Sequence, residues 1–333
     1  EVQRVHAYLD EDLRVVDFSA LPVSEGAAAV AAWRRDESGE PFDLVHGPLL
    51  RLGLIRTAPR RYLLVATVHH LVADGWSLSL LLNEIGVVYD ALRTGATPAL
   101  PPAMPFREAV AYWDAERGSE AMARHEAYWL ERLSEPVSSP ALPADRPLPA
   151  APSFRGARHT VTLDAVLAAD LRRFARAHGG TLFMALLAAF AVLLRRLGNR
   201  GDLLVGTPTV GRPFGTEQPL VGYCTHLLPL RLAVPDGVTG AALLAAVRNT
   251  LLDAFEHQDY PYAALHTRLA AQHRAAYGPG QDPLLGVVFN LEPRPAPPHF
   301  EGLATRLEPP VVSYCPAGLN LNVLDAGDVL TLE

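Results

Sequence analysis

The chain has 333 residues, 49% hydrophobic and 20% charged, with a mean hydropathy of +0.11. That is enough apolar material for two sizeable cores and excludes a mainly disordered chain. A formal net charge of -7 leaves no basic field to condense on phosphates and argues against nucleic acid as the main ligand. The 29 basic residues are all Arg, which excludes a Walker-type phosphate loop and a pyridoxal Schiff base, since both need a lysine amine.

The opening Glu1-Val2-Gln3-Arg4 has neither a signal-peptide pattern nor an initiator Met, so the chain is expected to be cut from a longer one. Pro48 to Ile55 and Arg61 to His69 read as strands of a hairpin turning at Ala58-Pro59-Arg60. Tyr62 to Val68 is apolar on both faces and belongs inside a covered sheet. Asp74-Gly75 opens a helical pattern through Leu78, Leu81, Leu82, Ile85 and Tyr89, stopped by Gly95 and Pro98. Two further helices are expected near Phe106 to Glu116 and Ala121 to Leu133.

Dense prolines from Ser134 to Pro152 cannot sit in a helix interior or a central strand, so this segment reads as an extended linker. The expected organisation is an N-terminal lobe over 1–134, a linker over 135–152 and a C-terminal lobe over 153–333. The second lobe begins with a strand at His159 to Leu163 and a helix at Ala165 to Ala177. Leu182 to Leu194 is the longest apolar run, closed by Arg195 and Arg196. It is shorter than the roughly 18–20 residues that span a bilayer, so it reads as a buried core helix. Strands at Leu203 to Gly206, Leu227 to Leu232 and Leu284 to Asn290 flank a helix at Ala241 to Phe255. Alternating helices and strands define an α/β protein with two lobes. Cys224 and Cys315 form no CxxC pair and cannot staple a chain of this size, so each reads as a small buried hydrophobe in a reducing, cytoplasmic setting.

One segment carries chemistry: Val68-His69-His70-Leu71-Val72-Ala73-Asp74-Gly75-Trp76-Ser77. Adjacent strand residues face opposite ways, so if the strand reaches this far only one His can face a given cavity. That argues against a two-His metal site. An acid at the strand-to-helix turn can cap the helix or pair with a cation, and Gly75 lets the backbone turn sharply and approach a ligand. Histidine has the proton affinity that suits acid–base work near neutral pH.

The segment resembles the His-His-x-x-x-Asp-Gly motif of the condensation domains of nonribosomal peptide synthetases. Phe42-Asp43-Leu44 with Gly47-Pro48-Leu49-Leu50 resembles the stretch before that motif, and Tyr112-Trp113 and Tyr128-Trp129-Leu130 the aromatic signatures after it. Gly206-Thr207-Pro208-Thr209-Val210-Gly211-Arg212 is similar to the family's Gly-Arg loop. Val221-Gly222-Tyr223, His257-Gln258-Asp259-Tyr260-Pro261-Tyr262 and Val288-Phe289-Asn290 follow in the family's order. The family's early Ser-x-Ala-Gln and Arg-His-Glu stretches are absent, so the first strand and helix of the N-terminal lobe are expected to be missing. The end at Glu333 is expected to fall inside the last sheet.

The resemblance implies a two-lobed fold similar to chloramphenicol acetyltransferase, with a tunnel between the lobes. It implies condensation of a donor acyl or peptidyl thioester with an acceptor aminoacyl thioester. Both would ride on phosphopantetheine arms of upstream and downstream carrier proteins, beside a neighbouring adenylation domain, with no cofactor bound by the domain itself and no nucleic-acid or membrane partner. His70 would be the catalytic group. His69, Asp74, Gly75 and Arg212 would be structural, with Asp74 and Arg212 paired. Cys224-Thr225-His226 stands where the family usually has Phe-Val-Asn, so Thr225 and His226, together with Asn290, become tunnel candidates; His226 reads equally as a satisfied strand histidine. His257 reads as a helix cap. A stand-alone acyltransferase using the same His and Asp, an epimerisation domain and a recruitment platform without catalysis are the alternative readings.

Overall fold

The computed structural model describes residues 2–6, 13–137, 142–145, 153–272, 286–315 and 317–333. Most of the expected linker, 138–141 and 146–152, lies outside the described residues, as does Leu284 at the start of one expected strand. The chain forms two compact units. One holds Glu1–Met104, Pro219–Tyr223 and Pro298–Ser313; the other holds Pro105–Gln218, Cys224–Pro297 and Tyr314–Glu333.

In the first unit, β1 (Arg14–Asp17) precedes α1 (Val23–Gly39), and the hairpin strands β2 (Leu50–Ala58) and β3 (Arg61–Val68) follow. The sheet runs β1-β2-β3, with β1 parallel to β2 and β2 antiparallel to β3. Helix α1 lies so close to β2 that a side chain at Gly53 would overlap the Trp33 ring. Beside it, buried Arg51 donates from Nε to Glu37 Oε1 at 2.6 Å and from Nη2 to the Glu37 and Glu40 carbonyls. Its guanidinium also sits 4.0 Å over the Phe42 ring. Helix α2 (Gly75–Thr94) is capped at its start by Asp74 and ends at Gly95, whose φ of 72° is the left-handed conformation a C-terminal glycine supplies. Its outer turns carry the 298–313 segment: Tyr89 meets Phe300 edge-on, and Asp90 accepts from Glu301 N at 2.7 Å.

The second unit starts with α3 (Phe106–Glu116) and α4 (Glu120–Arg132). Here the structure corrects the expected lobe boundary at 134. Trp129, Leu133 and Val137 are buried in the second unit's core, because Trp129, 2% exposed, donates its indole N–H to the His257 carbonyl at 2.8 Å. After β4 (Val161–Leu163), α5 (Ala165–Ala177) and α6 (Leu182–Gly198) come β5 (Asp202–Thr209), β6 (His226–Ala233), α7 (Gly240–Glu256), α8 (Tyr262–Gln272), β7 (Val287–Pro293), β8 (Leu319–Asp325) and β9 (Leu330–Leu332). The six-stranded sheet is ordered β4-β9-β8-β7-β5-β6. Its central β7 runs parallel to both β8 and β5, while β6 and β9 pair antiparallel. Leu187, Ala191 and Leu194 of α6 and Phe289 of β7 are fully buried, with Phe183 and Phe190 against the Phe289 ring. Helix α6 is thus a core helix, and among the described residues no single helix is long and apolar enough to cross a membrane.

Replacing Glu37 with Ala strands Arg51 without its charge partner. The cost expected for breaking a buried pair is about 3–5 kcal/mol, measurable as a lowered urea midpoint. A midpoint unchanged within error would show that the two backbone carbonyls satisfy Arg51 unaided.

Candidate active site

Strand β3 stops at Val68, so strand alternation does not reach the two histidines. A turn separates them instead: the Val72 N–H donates to the His69 carbonyl at 3.0 Å. The His69 ring stands edge-on to Phe42 with centroids 5.6 Å apart and accepts the Leu71 N–H on Nδ1 at 3.1 Å. The His70 ring takes a different direction. Its Nδ1 lies 3.1 Å from the Ala73 carbonyl, and it meets the Tyr223 ring in a T-shaped contact with centroids 5.9 Å apart. A carbonyl only accepts, so Nδ1 carries the proton and the neutral ring keeps its lone pair on Nε2. His70 as a residue is exposed.

Asp74, 4% exposed, uses one carboxylate oxygen twice: Oδ1 accepts from Ser77 N at 2.8 Å and Ser77 Oγ at 2.7 Å. The first bond is an N-cap of α2 and the second is charge-assisted. Ser77, 0% exposed, in turn accepts the Gly222 N–H at 3.0 Å, and its Oγ lies 2.9 Å from the Gly222 carbonyl. The neighbouring parallel bridge between Met104 and Leu220 fixes the same strap. Tyr223, next in sequence, is thereby held at His70. Burial and then the Asp74 charge push the Tyr223 phenol above its ordinary pKa, so it remains a neutral hydroxyl near neutral pH.

Gly75 departs from the sequence reading. It has no left-handed φ, and a Cβ placed there would meet nothing within 4 Å among the described residues. The turn does not need a glycine; the open space beside the start of α2 is what its small size leaves.

The remaining predicted residues belong to the second unit. Arg212 is buried after β5. Thr225 and His226 are half-buried at the start of β6, and Asn290 is half-buried on β7 opposite Asn322. Burial lowers the His226 pKa, with the Asp259 charge opposing. His257 is the C-cap residue of α7, as expected. Its ring also stacks on Tyr128 at 3.9 Å, and its Nδ1 lies 2.9 Å from His125 Nδ1. Burial, then His125, lowers its pKa, against Glu256 and Asp253. Tyr223, whose ring meets His70, is not singled out by the sequence. Tyr223 lies 153 positions beyond His70, and no spacing rule links them. Among the described residues no cluster of three or more potential metal ligands occurs.

The model of the Condensation domain matches residues 1–306, and the chain belongs to that family. Tyrocidine synthase 3 of Brevibacillus parabrevis is 36% identical over 299 residues, 88% of this chain and 4% of that protein. Phosphinothricin tripeptide synthetase PhsC of Streptomyces viridochromogenes is 36% identical over 296 residues, 87% of this chain and 26% of its own length. The chain therefore spans about a quarter or less of these curated relatives. The starter condensation domain of rhizomide synthetase superposes with a TM-score of 0.79 at 26% identity, over 98% of this chain and 72% of that one. The first condensation domain of the CDA synthetase gives 0.74 at 25% identity, over 98% and 71%.

Two outcomes test this geometry. Ser77→Ala leaves the Gly222 N–H without its acceptor and should cost about 1–3 kcal/mol in urea unfolding; an unchanged midpoint would show that the strap holds without Ser77. For His257 and His226 the folded pKa lies below the ordinary value near 6.5. The stability they contribute is therefore complete above that value and lost as pH falls through it. The melting temperature should hold above about pH 6.5 and fall below it, and His257→Gln should flatten that slope; an identical slope in the variant would refute the assignment.

Proposed function

We propose that this condensation domain joins two carrier-bound substrates by an amide bond, with His70 as the acid–base group. One observation carries the reading: the Ala73 carbonyl on Nδ1 fixes the His70 tautomer that keeps the lone pair on Nε2, on a residue with solvent access. In the proposed step the acceptor amine attacks the donor thioester carbonyl, forming C–N and breaking C–S. Nε2 takes the amine proton and returns it to the departing pantetheine thiolate. A correctly placed base contributes about 10²- to 10⁴-fold, and holding both thioesters in register supplies up to roughly 7–11 kcal/mol of the barrier in favourable cases. The 36% identity to the two peptide synthetases, over most of this chain, supports the same reading. The partners proposed are an upstream donor and a downstream acceptor carrier protein, with an adenylation domain beside them. Asp74 and Arg212 are assigned structural roles, and Thr225, His226 and Asn290 are proposed to contact substrate.

In the full synthetase, His70→Ala should lower peptidyl-thioester formation by about 10²-fold or more while the melting temperature holds. A near-wild-type rate would overturn the assignment. His69→Ala should instead act through stability, losing the Phe42 contact and the Leu71 hydrogen bond, about 1 kcal/mol, with the rate per folded molecule retained.

A further inference from the structure

Strand β5 ends at Thr209 and β6 begins at His226, and the two are direct partners in the antiparallel register. Residues so opposed share one face of the sheet, with Cβ atoms about 4.5–5.5 Å apart. Two positions back on the same face, Thr207 is buried and donates its hydroxyl to the Phe289 carbonyl at 2.9 Å. Thr209 is different. It is 9% exposed, and its buried Oγ1 has no hydrogen-bond partner among the described residues. Folded proteins leave few such groups, because a desolvated hydroxyl without a partner is a standing penalty.

The partner residue is polar, and the neighbouring backbone leaves room for its ring. The His226 ring stands edge-on to Trp113, with centroids 6.4 Å apart. Gly211, at φ 58°, makes room for it, since a Cβ there would overlap both the His226 ring and the Cys224 carbonyl. His226 itself is half-buried. Burial keeps it neutral near pH 7 despite Asp259, so it offers one donor and one acceptor nitrogen.

We infer that Thr209 and His226 form a hydrogen-bonding subsite for a neutral amide of the carrier-bound substrate, a group that presents N–H and C=O together. A full charge would be desolvated against two neutral groups that cannot compensate it, and an anion would also meet Asp259. The inference rests on the condensation reading above. The amide has two possible sources, the pantetheine arm or a carboxamide on the acyl group.

Calorimetric titration of the intact chain with two probes tests this without turnover. S-butyl pantetheine carries the arm amides behind an apolar cap, and asparaginyl butyl thioester carries a carboxamide without the arm. Thr209→Val should weaken one probe about tenfold, the scale of a lost hydrogen bond. It should melt at or above the wild-type temperature, since it removes an unpaired hydroxyl, and Thr209→Ser should restore affinity. The probe that weakens identifies the source. Equal affinities in wild type and variant, no binding of either probe to the wild type, or a clearly lower melting temperature for Thr209→Val would each overturn the subsite. Because binding is read with His70 intact, failure here is distinct from failure of the His70 assignment.

Discussion

The first unit depends on one carboxylate oxygen. Asp74 Oδ1 holds both the N–H and the hydroxyl of Ser77, and Ser77 closes on Gly222. A charge buried this deeply is costly unless its hydrogen bonds are filled. Filling them here does three things at once: it starts α2, closes the turn that carries His70, and anchors the strap that brings Tyr223 alongside. The acid four residues past His70 is thus engaged in capping α2 and in holding the Ser77 hydroxyl. The His70 ring is held from two sides, by the Ala73 carbonyl and by the Tyr223 ring.

The second unit is held in a different way. Its centre is apolar, with α6 and Phe289 fully excluded from water, and polar groups enter mainly at the sheet margins. Arg172 reaches Asp325 at 2.6 Å and the Gly327 carbonyl at 2.7 Å, and Arg231 grips Asp202 with two nitrogens. Against this background, the threonine at the end of β5 stands out, since the sheet satisfies the equivalent hydroxyl at Thr207.

Helices with strong periodicity and clear stops were legible in the sequence. Phe106–Glu116 and Ala165–Ala177 have the expected bounds, and α2 begins after Asp74 and ends at Gly95. Helix α1 was not legible, because Val23–Gly39 is an Ala-rich block followed by a charged block, without an apolar helical stripe, and buries little beyond Glu37. Strands β1, β8 and β9 are short or polar, and each has a partner far away in sequence (β2, β7 and β4), although β8 and β9 also pair as a local hairpin. The same applies within the site. His70, Asp74 and the helix start sit within one local pattern, whereas Gly222 and Tyr223 reach them through hydrogen bonds that no local periodicity encodes. Thr209 could not be found at all from sequence, since only coordinates show which threonine hydroxyl lacks a partner.

The interleaving of the chain bears on how such domains can be recombined. Residues 219–223 and 298–313 are folded into the first unit although they are flanked by segments of the second. A crossover placed at the proline-rich stretch would give one half that lacks Gly222 for Ser77 and Leu220 for Met104, along with the Phe300 segment that covers Tyr89. The other half would carry those segments with nothing to dock on. Exchange of genetic material within this chain is therefore penalised at the very place where composition suggests a seam, and the whole domain is the smallest piece that can be inherited intact.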